Sequence, residues 1–153
     1  MTTPSPETDL VKLYSARILA LAADIGLTDR LDAPDATAKK RAPLCGSTVT
    51  VDLKLDGDTI TAFGQDVKAC ALGQASAAVL AQSVIGSKVS DVREARDALK
   101  DMLKNEGPAP TGRFEELKVL LPARDYKNRH ASILLAFEAT LEAAETAKAQ
   151  DTA

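Results

Sequence analysis

The stretch from Thr48 to Val67 constrains the fold more than any other part of the chain. Val49, Val51, Leu53 and Leu55 alternate with Thr48, Thr50, Asp52 and Lys54, a period of two that sets apolar side chains on one face of a strand and polar ones on the other. Asp56-Gly57-Asp58 supplies a turn, and Ile60 and Ala62 carry the pattern into a return strand. The alternation breaks at Phe63-Gly64. A glycine within a strand signals a bulge or bend, so the return is expected to split and give a third short strand through Val67.

Both cysteines of the chain bracket this hairpin, Cys45 at its entry and Cys70 at its exit. A hairpin doubles back, so residues at its two ends can be neighbours in space. From Ala69 the pattern turns helical and rich in small residues, with Ala69, Ala71, Gly73, Ala75, Ala77 and Ala78 among them. Cys70 falls in the first turn, where backbone N–H groups and the helix dipole favour a thiolate. Lys68 acts in the same direction. Two buried packing thiols are the plainer reading of two cysteines in a chain of this size, but their positions point to a reactive or ligating pair.

The remaining elements are helical. Ser5-Pro6-Glu7 reads as an N-cap, a proline at the first helical position and a first-turn acid. Leu10, Tyr14, Ile18, Leu21 and Ile25 then form one stripe of a helix over about Glu7–Ile25, ended by Gly26. Leu27–Leu44 reads as a linker, and its cations Lys39-Lys40-Arg41 as a solvated loop, with a raised potential beside Cys45 as the lesser alternative. Gly86 ends the helix that follows Cys70. Ser90-Asp91 caps another with the stripe Val92, Ala95, Leu99 and Met102, stopped at Gly107-Pro108. Phe114–Leu120 has room for one or two turns before Pro122.

The last helix places His130, Leu134, Phe137 and Leu141 on one stripe. The lone histidine therefore sits at a helix N-terminus on the buried-facing side, where the positive dipole end favours neutral imidazole, the metal-binding form. Taken by itself, a lone histidine on an apolar stripe reads first as a hydrogen-bonded core residue and only second as a ligand.

The totals bound the rest. The 153 residues suit one domain over 1–153, ordered over about 7–148, and the 3% aromatic content without tryptophan favours close helix packing through small side chains. A net charge of −3 gives no overall footprint for nucleic acid. No apolar run approaches the ~20 residues of a membrane span, and the polar, acidic N-terminus is unlike a secretory signal. A cytoplasmic location is expected by default. The fold class expected is α+β: a small antiparallel sheet of two to three strands packed on one face by about four to five helices, the first of them docked loosely.

These residues together resemble the U-type scaffold family of iron–sulfur cluster assembly. The resemblance rests on Pro43-Leu44-Cys45-Gly46, the alternating strands, Phe63-Gly64 followed by Cys70, Ala75-Ser76-Ala77, and His130-Ala131-Ser132-Ile133-Leu134-Leu135-Ala136, with Leu13-Tyr14 and Ile18-Leu19 upstream. It spans about Leu10–Ala144. It implies a site at the end of the sheet for iron or a [2Fe–2S] cluster, zinc also fitting, with Cys45, Cys70 and His130 as ligands. It also implies a cysteine desulfurase and cluster-acceptor proteins as partners, and allows a homodimer.

The chain departs from the family's pattern at three places. Ala131 stands where a third cysteine is expected, Ser47 where an aspartate is, and Asn128 where a lysine is. Zinc and [2Fe–2S] sites each want four ligands, so three candidates leave one position for solvent, Asp125, Ser47, a small thiol or another chain. Any cluster held by two thiolates and an imidazole should be labile. Three readings follow, in order: a scaffold or carrier; a non-assembling relative that regulates the assembly machinery; and a zinc- or iron-binding protein outside it. No P-loop, dinucleotide fingerprint, His-Glu-x-x-His or serine elbow is present, and the chain is not expected to be an enzyme.

Overall fold

The computed structural model describes residues 15–43 and 46–151. The expected helix start at Ser5-Pro6-Glu7, the stripe residues Leu10 and Tyr14, and Cys45 itself lie outside the described residues.

Three antiparallel strands form one sheet in the order β1 (Ala36–Arg41), β2 (Thr48–Asp56) and β3 (Thr59–Lys68). β2 and β3 are the hairpin expected from the alternation, turned at Gly57 with φ +61°, a left-handed conformation that glycine adopts without strain. The third strand is not where the sequence places it. β3 runs unbroken to Lys68, and the register shift lies at Lys54/Leu55 rather than at Phe63-Gly64. The extra strand is β1, within the stretch read as a linker. Ala36 and Ala38 face inward and are buried, while Thr37, Lys39 and Arg41 face out. Alanine and lysine have little strand propensity, but pairing along β2 overrides it.

Gly64 has a different purpose from a bulge. A Cβ there would lie 2.3 Å from the Asp29 carbonyl oxygen, because the segment around Asp29–Leu31 crosses the outer face of the sheet in direct contact. The crossing is fastened by Asp52, a fully buried carboxylate on β2. Asp52 accepts from Arg30 Nε (2.5 Å) and Nη2 (3.0 Å), from Thr37 Oγ1 (2.5 Å) and from Leu31 N (3.1 Å). The Arg30 hydrogen bonds, assisted by Thr37 and Leu31, hold the Asp52 carboxyl below the usual carboxylate range against the opposing effect of burial.

The helices are α1 (Ala16–Ala23), α2 (Ala71–Ser83), α3 (Val89–Lys104) and α4 (His130–Asp151), with 3₁₀ segments at Gly112–Asp125 and Lys127–Arg129. The Ser15 hydroxyl accepts from Ile18 N at 3.3 Å and caps the described turns of α1. These turns bury Ile18 and Leu21 and pack on α2, so this part of the first helix is docked firmly rather than loosely. α3 begins at Val89, where Lys88 N donates to Asp91 Oδ2 at 2.9 Å. The 3₁₀ segment passes through Pro122, where the sequence suggests a stop.

α4 is the centre of the molecule. It packs on β1, β2, α2 and α3, and residues 132–137 are all buried, as expected of a helix covered nearly all round. Phe137 meets Phe114 edge to face with centroids 5.7 Å apart. The inner face of the sheet thus has its helical cover, and the α+β class expected from the sequence holds. Among the described residues no helix is long and apolar enough to cross a membrane.

Candidate metal or cluster corner

One end of the sheet carries Cys70, one of the residues singled out by the sequence. Thr48 pairs with both Arg41 on β1 and Lys68 on β3, so the β1–β2 connection and the β3–α2 connection leave the sheet at the same edge. Cys70, half-buried and free, is the N-cap residue of α2. Its Sγ lies 3.4 Å from Ser132 Oγ on α4, and Ser132 Oγ lies 2.9 Å from Ser47 Oγ. A chain of thiol and two hydroxyls thus links the start of α2, the first turn of α4 and the entry to β2.

The β1–β2 connection is closed by Ala42 N donating to Ser47 O (2.8 Å) and Gly46 N donating to Ala42 O (2.9 Å). Gly46 takes φ +72°, again the region open to glycine. Cys45 is outside the described residues, but it is two residues from Ser47.

The approach of α4 to Cys70 depends on Gly73. A Cβ at this position would lie 2.7 Å from Ser132 Oγ, 2.9 Å from Ala69 Cβ and 3.1 Å from Ser132 O. Any side chain there would push the first turn of α4 away from α2. Neither Gly73 nor Ser132 stands out in the sequence. Gly73 is hidden in a run of small residues, and Ser132 sits between a histidine and an apolar stripe.

His130 is buried, as its stripe implies. Its Nε2 lies 3.0 Å from Ala123 O and 3.0 Å from Arg124 O, both in the 3₁₀ segment. A ring nitrogen facing carbonyl oxygens is the protonated one, so the neutral ring carries its lone pair on Nδ1. That is the arrangement of many metal-binding imidazoles, whose other N–H is held by a backbone carbonyl. It is equally the arrangement of a core histidine tying two segments together. The hydrogen-bond partner of Cys70 is Ser132, two residues on, and successive helical residues are rotated by about 100°. Between them Ala131 is exposed, so the position where the resemblance calls for a third cysteine opens to solvent at the rim. Asp125, another candidate for the missing ligand, is exposed at the end of the 3₁₀ segment. Among the described residues no three histidine, cysteine, aspartate or glutamate side chains converge as a metal group; the corner offers Cys70 with hydroxyls around it.

Comparison with known proteins gives this geometry its context. The 2.3 Å crystal structure of a hypothetical protein superposes with a TM-score of 0.77 at 21% identity, covering 88% of this chain and 98% of that one. The putative scaffold protein for the SUF system from Fervidobacterium islandicum superposes with a TM-score of 0.79 at 19% identity, over 88% of this chain and 98% of that one. Both show the fold alone. The iron–sulfur cluster assembly scaffold protein IscU of Thermotoga maritima is 22% identical over 131 residues, 86% of this chain and 92% of the relative. A nitrogen-fixing NifU-like protein (N-terminal) from Brucella abortus has a TM-score of 0.91 at 46% identity, covering 93% of this chain and 99% of that one. The sequence model of the NifU-like N-terminal domain matches residues 20–131. The chain therefore belongs to the NifU-like N-terminal domain family.

Proposed function

We propose that this protein is a scaffold or carrier in iron–sulfur cluster assembly, with the cluster or its iron as cargo held at the corner of Cys45, Cys70 and His130. The observation that carries the reading is the half-buried Cys70 thiol, in contact with Ser132 at the sheet end where β2 begins and β3 ends. Names borne by the relatives agree with it. A single iron would take Cys45, Cys70 and Nδ1 of His130, leaving a fourth position for solvent or delivered sulfide. A [2Fe–2S] cluster needs four protein ligands, and two copies of the chain supply four thiolates. On this reading a cysteine desulfurase provides sulfur and acceptor proteins remove the product, in the cytoplasm. The protein contributes ligands and exposure rather than a catalysed bond change, so no enzymatic role is assigned to it.

Anaerobic reconstitution with ferrous iron and sulfide tests the reading. The expected result is sulfide-to-iron charge-transfer absorbance in the visible range, abolished in Cys45→Ala and in Cys70→Ala, and carried by a dimer in native mass analysis. A colourless protein, unchanged by either substitution, would overturn it in favour of a regulatory relative.

A further inference from the structure

The outer face of the sheet is covered over only part of its length. Around Thr37, Asp52 and Gly64 it lies beneath the Asp29–Leu31 crossing. Toward the cysteine edge it is open. The register sets Arg41, Thr48 and Lys68 in one row and Lys39, Thr50 and Asp66 in the next, and directly paired residues share a face. Lys39, Arg41, Asp66 and Lys68 are all exposed.

Three cations therefore stand together beside the corner, and among the described residues none of them has an ion pair. Lys40, turned by strand parity to the other face, is different: it meets Glu142 at 4.0 Å. The one acid of the open patch, Asp66, is outnumbered by Lys39, Arg41 and Lys68, so the four side chains keep a net positive charge. This positive area belongs to a chain whose net charge is −3. It is a local feature, and it abuts the segments that carry Cys45 and Cys70.

We propose that the open half of the outer sheet face, built on Lys39, Arg41 and Lys68, docks an acidic segment of a partner protein and so directs that partner to the cysteine corner. Charge complementarity names the occupant. Two rows of a three-stranded sheet present a small flat area, suited to a short run of carboxylates, and the overall negative charge opposes long polyanions. The proposal rests on the cysteine corner being the working site, but it can fail separately. Metal and sulfide content reports on the corner, and selectivity among charged partners reports on the patch.

The test is a thiol–disulfide exchange measured on the intact chain. The probe is a short peptide of alternating glutamate and glycine whose terminal cysteine is carried as a mixed disulfide with 2-nitro-5-thiobenzoate. A protein thiolate attacks the peptide sulfur, forms a protein–peptide disulfide and releases the coloured thiolate. A matched peptide with glutamine for glutamate measures intrinsic thiol reactivity. At low salt the acidic peptide is expected to react about tenfold faster than the glutamine peptide, with the advantage shrinking as salt screens it. The double variant Lys39→Glu/Arg41→Glu should abolish or invert the ratio of acidic-peptide to glutamine-peptide rate, the glutamine peptide correcting for any change in intrinsic thiol reactivity. Lys39→Gln/Arg41→Gln should give an intermediate ratio, which guards against misfolding of the charge-reversed protein. Equal rates for the two peptides, or an advantage that survives in both variants, would overturn the proposal. So would a single-stranded RNA binding at this face in preference to the acidic peptide.

Discussion

Two polar clusters on the same sheet are built on opposite plans. At Asp52 a buried carboxylate receives two hydrogen bonds from Arg30, one from Thr37 and one from Leu31 N. Four donors on two oxygens account for its capacity, and the result is a fastening that pins the Asp29–Leu31 crossing over β2. At the cysteine corner, Ser47, Ser132 and Cys70 form a chain of two hydroxyls and a sulfur with contacts of 2.9 and 3.4 Å, and the sulfur remains half-exposed. A sulfur–hydroxyl contact is weak beside a charge-assisted bond. The difference separates a carboxylate saturated by the fold from a sulfur left half-open to solvent.

The largest effect expected from breaking this contrast is at Asp52. Asp52→Ala leaves the Thr37 hydroxyl and the Leu31 N–H without their acceptor, and should cost about 2–3 kcal/mol in denaturant unfolding, with reconstituted cluster per folded chain unaltered. The same cluster sets an acid limit. The folded carboxyl is held below its ordinary value of ~3.9, so its contribution is complete above that value and is lost as pH falls through the folded pKa. Asp52→Asn should flatten the acid limb of the stability–pH curve, and an unchanged limb would show that other groups control it.

Next comes Gly73. Gly73→Ala gains helix propensity but forces a Cβ against Ser132 and Ala69, for a net loss of about 1–2 kcal/mol. Unlike the Asp52 variants it should also alter Cys70 alkylation rates, because it moves Ser132. A Gly73→Ala protein with wild-type stability and wild-type alkylation would contradict the close approach of α2 and α4.

The smallest stability effect is expected at Ala131. This position is exposed, so Ala131→Cys should change stability by no more than about 0.5 kcal/mol. It nonetheless adds a third thiol at the rim and should slow the loss of a reconstituted cluster to a chelator. Equal loss rates would mean that a sulfur at 131 does not reach the cargo.

Legibility in the sequence followed the same division between local and distant causes. The β2–β3 hairpin was readable because valines and leucines alternate with polar residues, a property of the strands themselves. β1 was not, since alanines at 36 and 38 give almost no apolar signal and Lys39-Lys40-Arg41 looks like solvent-exposed loop. Its strand character comes from pairing with β2, which local sequence does not encode. Gly64 was noticed, but its cause is a backbone crossing some thirty-odd residues upstream, in the segment around Asp29. Burial of His130 followed from its helical stripe, whereas its carbonyl partners in the 3₁₀ segment could not be inferred from spacing. Cys70 was visible from its place at the end of the hairpin. Ser132 and Gly73, which set its surroundings, become significant only when α2 and α4 are brought together.

The central claim is that the corner holding Cys70 carries iron and sulfide. It is tested most directly by the iron and acid-labile sulfide content of the protein purified without air, beside Cys70→Ala prepared identically. The account predicts both elements in the wild type and their loss in Cys70→Ala while the variant stays folded. Iron and sulfide retained in full by Cys70→Ala, or absent from a folded wild type even after reconstitution, would contradict it.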